Sequence, residues 1–299
     1  MEKQKKLGLL GILMFCVLAG ICFAHPIKAE AAAFKTIVFA NEKREKVGGY
    51  YLWRASDGSA LYVSKSKTGK GKIIAKSSKG VFNEEVLSNG SLVYYTYYSN
   101  NSHDDNGQIY SVKIDGKNRK YIGKVKYAYR IQAYYNGNLY IWDADWPNNS
   151  IYRLNIKTGK VKCIQKSAML CDQYKHYLLI RNINKFDGKY SNAYIYNCKT
   201  RKSIKISNKV FSGLNFVSGK VYYAEKVNNK SISIKSCSLT GKSKKTLVRK
   251  LSANLHNTGK ITSRYVYYMN PEASKCYRYD MKTKKSKKIS QKAYEGDGL

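Results

Sequence analysis

Two aspartates spaced for chemistry stand in Leu139-Tyr140-Ile141-Trp142-Asp143-Ala144-Asp145. A strand carried through both would place their carboxylates on one side, an arrangement suited to a Ca²⁺ ion or to paired acid and base work. Loop carboxylates are usually just solvated, so ligand contact outweighs metal binding or catalysis as the expectation for Asp143 and Asp145. Trp53, His103, Asp104, Asp105, Trp146 and Asn148 join them, with Asn149 and Asn270 nearby. Aromatic and amide side chains of this kind hold sugars or peptides. His103, His176 and His256 show no spacing to a serine nucleophile or a zinc site. Cys163, Cys171, Cys198, Cys237 and Cys276 contain no C-x-x-C pair and are odd in number. They read as small hydrophobes of strands, with Cys163 and Cys171 the one pair placed for a disulfide. No catalytic group, metal centre or cofactor is expected.

Positive charge is far more abundant: 55 Lys and Arg stand against 19 Asp and Glu, a formal net charge of +36. The polyanion-binding candidates follow tight polar turns: Lys117, Arg119, Lys120, Lys160, Lys162, Arg201, Lys202, Lys244, Lys245, Lys284 and Lys285. Lysine on an outer strand guards a sheet edge against aggregation. A charge this large also exceeds what solubility needs and attracts polyanions in a salt-dependent way. Nucleic acid is not expected, because no nucleic-acid-binding motif accompanies the charge.

These residues recur because the chain repeats. Six times between Gly49 and Ala293 come a Tyr-rich alternating run, a second alternating run, a polar turn and a Lys-rich run. Anchors at Tyr62, Tyr110, Tyr152, Tyr194, Ile234 and Tyr277 are 48, 42, 42, 40 and 43 residues apart. The turns behind them include Lys67-Thr68-Gly69, Asp115-Gly116-Lys117, Lys157-Thr158-Gly159 and Leu239-Thr240-Gly241, with the glycine that a left-handed hairpin position favours. The second repeat is clearest: strands over Val86 to Ser88, Ser91 to Tyr98, Gly107 to Ile114 and Arg119 to Val125 make a four-stranded antiparallel meander. Helical periodicity is absent. A meander of this size must stack on its neighbours, and radial closure is the usual solution, so the expected fold class is all-β, a six-bladed β-propeller. Phe34 to Ala40 precedes the first repeat and would latch the last blade to the first; as part of an extra blade it would make seven.

The register sorts the loops. Lysines gather at the third-to-fourth turns and outer strands. Asp57, Asp104, Asp105, Asp143, Asp145, Asp187, Glu225 and Glu272 fall in second-to-third loops on the opposite face. Tyr94, Tyr140, Tyr222 and Tyr267 occupy equivalent second-strand positions and read as packing residues.

Leu139-Tyr140-Ile141-Trp142-Asp143-Ala144-Asp145 followed by Ile151-Tyr152-Arg153-Leu154-Asn155 resembles the YWTD-type propeller repeat of low-density-lipoprotein-receptor-like proteins. Val93-Tyr94-Tyr95-Thr96 and Ile109-Tyr110-Ser111-Val112 match it more loosely. The chain is also similar to secreted bacterial propellers that share this repeat and have no characterised function. The resemblance implies a scaffold and transfers no catalytic residue. The fourth repeat departs most, with Tyr177-Leu178-Leu179-Ile180-Arg181 at the motif position.

Lys3, Lys5 and Lys6, the apolar stretch Leu7 to Ala24, Pro26 and Ala29-Glu30-Ala31 read as a secretory signal peptide cleaved near Ala31. Retention as a membrane anchor is the alternative. Residues 32–299 then form one domain, without room for the extra hydrolase domain that propeller peptidases carry. The expected function is a secreted or cell-surface binding scaffold. Its lysines would hold it to an anionic cell-envelope polymer such as a teichoic acid, and its acidic aromatic loops would take a glycan or protein partner. A hydrolase or lyase acting on a carbohydrate or lactone is the alternative.

Overall fold

Alternating runs of β-branched and tyrosine residues, broken by Gly, Asn and Asp turns, fold here into consecutive hairpins. The computed structural model describes residues 33–299 apart from 40–42, 79, 100–105, 127, 144–148, 183–190, 255–257 and 299. The candidates His103, Asp104, Asp105, Asp145, Trp146 and Asn148, and the signal segment, lie outside the described residues.

After an initial strand, β1 (Lys35–Val38), the first meander comprises β2 (Glu45–Val47), β3 (Tyr50–Arg54), β4 (Ala60–Ser64) and β5 (Lys72–Lys76). The second is β6 (Val81–Ser88), β7 (Leu92–Tyr98), β8 (Asn106–Lys113) and β9 (Lys120–Lys126). The third is β10 (Ala128–Tyr135), β11 (Asn138–Asp143), β12 (Ser150–Asn155) and β13 (Val161–Lys166). The fourth begins β14 (Ala168–Tyr174), β15 (Tyr177–Asn182) and β16 (Ser191–Asn197), and it ends in the 16-residue β17 (Lys202–Val217). β17 continues into the fifth meander with β18 (Lys220–Asn228), β19 (Ser231–Ser238) and β20 (Lys245–Ser252). The sixth is β21 (Thr258–Ile261), β22 (Tyr265–Met269), β23 (Cys276–Asp280) and β24 (Lys285–Ile289), and α1 (Gln291–Gly298) follows. Every strand pairing is antiparallel. The second repeat has the strands the sequence indicates, and the divergent fourth repeat has a regular second strand at Tyr177–Asn182.

Consecutive sheets bury apolar faces against one another, so the core divides into slabs between consecutive meanders. Leu52, Leu61 and Val63 meet Val86, Val93 and Tyr95. Leu87, Tyr94 and Ile109 meet Ile131, Leu139 and Ile141. Further slabs join the third meander to the fourth, the fourth to the fifth and the fifth to the sixth. Tyr94, Tyr140, Tyr222 and Tyr267 are all buried, as their repeat position implies.

Hydrogen bonds between first strands of neighbouring meanders add to the slabs. Gln173 donates from Nε2 to the Tyr134 carbonyl (2.8 Å) and accepts the Tyr134 N–H (3.3 Å). Asn215 treats Ile261 in the same two-point way, at 2.7 and 3.3 Å. Asp172 Oδ2 accepts the Phe216 N–H at 2.8 Å. Burial pushes the Asp172 carboxyl above the usual range, and hydrogen bonds from Phe216 and Gln173 oppose the shift. Glu85, also raised by burial, pairs with Arg130 at 3.1 Å.

Two expectations are corrected, while the reading of the cysteines as small hydrophobes agrees with their state. β1 pairs with β6, Lys35 opposite Ser88 through Val38 opposite Glu85, so it extends the second meander instead of latching the last blade. Phe34 fixes this choice, packing on Tyr94 and Tyr134 at 5.4 and 4.5 Å. The chain ends in a helix despite its lack of helical patterning; Tyr294 of α1 packs with Tyr267 and Cys276 on the far face of the sixth meander. Cys163 and Cys171 are free thiols, like Cys198, Cys237 and Cys276.

Backbone geometry sets a stability test. A Cβ at Gly80 would run into the Tyr98 carbonyl, whereas one at Gly49 meets nothing within 4 Å. Lys284 holds a left-handed φ of 58°, which glycine adopts without strain. Gly80→Ala is expected to destabilise by roughly 1–3 kcal/mol, and Lys284→Gly to stabilise by about 0.5–1 kcal/mol. Urea unfolding midpoints check both, with Gly49→Ala as the near-neutral reference.

Candidate functional site

A cleft lined by several charged residues forms where one strand serves two meanders. The first half of β17 is the outer strand of the fourth meander, with Lys205 opposite Tyr194; its second half is the first strand of the fifth, with Val210 opposite Glu225. Between them Ser207, Asn208 and Lys209 turn the chain from one ladder to the other, and the Ser207 hydroxyl accepts the Lys209 N–H at 3.0 Å. The two sheets diverge there. They leave a cleft of about 500 Å³ lined by Lys205, Ile206, Ser207, Asn208, Lys209, Tyr223, Glu225, Lys235, Lys244, Lys245 and Thr246.

Five lysines thus surround one carboxylate. Glu225, with a side chain only 13% exposed, accepts the Ser207 hydroxyl on Oε1 at 2.6 Å and the Lys235 ammonium on Oε2 at 2.6 Å. That clamp ties the β17 turn to β18 and β19. Lys205, Lys209, Lys244 and Lys245 are exposed around it. Burial drives the Tyr223 hydroxyl pKa upward, with Cys237 and Glu225 adding to the shift. The Cys237 thiol is pushed up to about 11 by burial, against the opposing charge of Lys244. Chemically, the cleft offers ammonium groups, a hydroxyl and an amide to an anion. A serine beside a carboxylate can also suit nucleophilic chemistry, but Lys235 engages the other oxygen, and the arrangement ties strands together.

The remaining polyanion candidates, Lys117, Arg119, Lys120, Lys160, Lys162, Arg201, Lys202, Lys284 and Lys285, are all exposed at their turns or outer strands. Only Lys244 and Lys245 of that set enter the cleft. Arg119 lies over the Tyr110 ring at 4.6 Å.

The acidic aromatic surface fares differently. Trp53 belongs to β3, not to a loop; it is buried, stacks on Tyr62 at 5.3 Å between ring centres, and carries Arg44 over its ring at 4.0 Å. Its ring also covers Gly71. Asp143 ends β11 and is 3% exposed, with Oδ1 accepting the Ser150 N–H at 2.5 Å. Asn149 donates to the Asp143 carbonyl at 3.4 Å. Asp143 therefore closes the β11–β12 loop and offers no open carboxylate. Glu225 lies within β18 among lysines, not on an opposing acidic face. A repeat register orders residues along each strand; it does not contain the cross-sheet meeting of β17 with β19 and β20. The pairing of Glu225 with Ser207 and Lys235 was the missed feature, and an acidic residue inside the alternating run Val221 to Lys226 was its only sequence signal.

No protein-family model matches the sequence, and comparison with curated proteins finds no match. Solved structures do resemble it. Oligopeptidase B from Leishmania major aligns with a TM-score of 0.61 at 9% identity, covering 87% of this chain and 42% of that one. The tricorn protease gives 0.53 at 11% identity, covering 85% and 31%, and a prolyl endopeptidase 0.52 at 14%, covering 87% and 42%. The chain spans less than half the length of each of these peptidases. These likenesses show a propeller-like, all-β fold of antiparallel sheets.

Thiol chemistry tests the packing behind the cleft. Cys171, Cys198 and Cys237 are each pushed up to about 11 by burial. At pH 8 their thiolate fractions, and so their alkylation by iodoacetamide, should fall roughly two orders of magnitude below those of an ordinary surface thiol. After denaturation without reductant, Cys163, Cys171, Cys198, Cys237 and Cys276 should all label. Peptide mass mapping of both samples checks each residue.

Proposed function

We propose that this protein is a non-catalytic binding propeller, secreted or displayed at the cell surface, that captures an anionic polymer in the cleft between its fourth and fifth meanders. In this reading the six meanders close as six blades of the YWTD-like kind, and the rim lysines draw the polymer toward the cleft. One observation carries the reading. Five lysines converge on a cavity whose single carboxylate is already engaged by Ser207 and Lys235. Four ammonium groups are left to meet an anion, in a concave setting that focuses their field. Edge protection accounts for lysines spread along outer strands, but not for their convergence around a cavity. The binding surface thereby moves from the acidic aromatic loops to the cleft, because Trp53 and Asp143 are engaged in packing and loop closure.

An anionic envelope polymer or sulfated glycan is the partner class this chemistry suits. Lysine ammonium groups act as point charges and do not demand the planar fork geometry that arginine imposes. Affinity should therefore depend steeply on salt. With roughly 0.7–0.9 of slope per contact in log K against log salt, the double variant Lys244→Ala/Lys245→Ala should flatten the slope by about 1.5. Lys160→Ala/Lys162→Ala, on the rim, should change it by less than half as much. Titration of a fluorescent anionic polysaccharide between roughly 50 and 500 mM salt reads both. Equal losses from the two pairs would assign binding to diffuse charge and reject the cleft.

A further inference from the structure

Within the cleft the carboxylate of Glu225 is the feature that a pure polyanion site does not require. The chain has only 19 acidic residues against 55 basic ones, and one of those few faces four free lysines at the cavity wall. For a ligand made only of phosphates or sulfates, that charge is a repulsion. For a ligand that alternates phosphates with hydroxyl groups it is a second contact. A carboxylate has about four lone-pair positions. Ser207 takes one on Oε1 and Lys235 one on Oε2, which leaves two for other donors.

We infer that the cleft selects a polyol phosphate, with phosphodiester groups on Lys205, Lys209, Lys244 and Lys245 and a ligand hydroxyl donating to Glu225. This rests on the polyanion reading above and makes it specific. Hydroxyl contact with the Glu225 carboxylate, ion-paired with Lys235, is a charge-assisted hydrogen bond, the stronger kind. Asn208 and Thr246 supply further polar groups on the same wall. Glu225 acts by favouring ligands that carry hydroxyls and by repelling those that do not.

The test compares two probes of equal phosphate number at one salt concentration, poly(glycerol phosphate) and inorganic polyphosphate, on the wild type and Glu225→Gln. Glutamine keeps the side chain's shape and removes its charge. Polyphosphate should bind the variant about tenfold more tightly than the wild type, while poly(glycerol phosphate) gains little or weakens. The polyol preference, taken as a ratio of dissociation constants, should fall by about an order of magnitude, the scale of one charge-assisted hydrogen bond. Equal gains for both probes would overturn the selectivity and leave the polyanion reading standing, with Glu225 a simple charge. Absence of binding for both probes, or binding indifferent to Lys244→Ala/Lys245→Ala, would overturn the polyanion reading itself. Should Glu225→Gln lose the fold, Ser207→Ala replaces it. That change frees an acceptor position without altering charge and should raise the polyol preference several-fold; an unchanged ratio would count against the inference. Vesicles with a phosphatidylglycerol headgroup, run as a third probe, separate a lipid source of the same chemistry from a soluble polymer.

Discussion

A four-stranded meander with an apolar face cannot stand alone, and the structure follows from packing consecutive meanders face to face across shared apolar slabs. β7 shows the constraint at one strand: Val93 and Tyr95 point into the slab shared with the first meander, and Tyr94 into the slab shared with the third. A surface strand would alternate apolar with polar residues; this one places tyrosine on both faces. The phenol bodies fill the wide space between sheets, and at the end of the strand the Tyr98 hydroxyl donates to the Ala128 carbonyl. The amide clasps of Gln173 and Asn215 then fix how far one sheet slides against the next. Apolar slabs are tolerant of small slips, whereas a two-point bond to one backbone amide has a single register.

The cleft is a by-product of that stacking where β17 carries the chain from one meander to the next without a break. Elsewhere a short connection ends one meander and opens the next. β17 instead runs through 16 residues, and the pairing register shifts between Ser191 and Ala193 on one side and between Val210 and Ser212 on the other. The strand must bend as it changes partners, and the sheets open around the bend. Apolar side chains could have filled the gap. The chain places Lys205, Lys209, Lys235, Lys244 and Lys245 there, with Glu225 as the anchor that keeps Lys235 inward.

What could be read from the sequence was what repeats locally. Turn chemistry and period-two alternation put the last three strands of the second meander within one residue of their positions, because hairpin register is a short-range property, while its first strand begins at Val81, five residues before the expected Val86. The partner of β1 was not legible: Val38 lies opposite Glu85, nearly fifty residues away, and the choice is made by Phe34 wedging between Tyr94 and Tyr134. α1 is not legible because, among its described side chains, only Tyr294 is buried, too few to show a period. The site was half legible. Lys244 and Lys245 stand out as charges after a turn, but nothing in the local pattern distinguishes them from Lys284 and Lys285. The burial of Trp53 is not legible, because an aromatic beside a loop looks the same in sequence whether it faces solvent or, as here, lies under Arg44 and against Tyr62.

The two basic side chains divide their work, and that division bears on what the charge is for. The chain has ten arginines, and at least five lie over aromatic rings: Arg44 on Trp53, Arg119 on Tyr110, Arg130 on Trp142, and Arg264 and Arg278 on Tyr265. A flat, weakly hydrated guanidinium packs there as part of the fold. Lysine is used in that manner by Lys175 over Tyr174, but the cleft lysines Lys205, Lys209, Lys244 and Lys245 are exposed to solvent. Were positive charge needed only to hold the sheets together, arginine would serve and the excess of lysine would have no counterpart in packing. The stacked arginines belong to the architecture. The free ammonium groups raise the self-repulsion of an already basic chain, which the proposed anionic partner would offset.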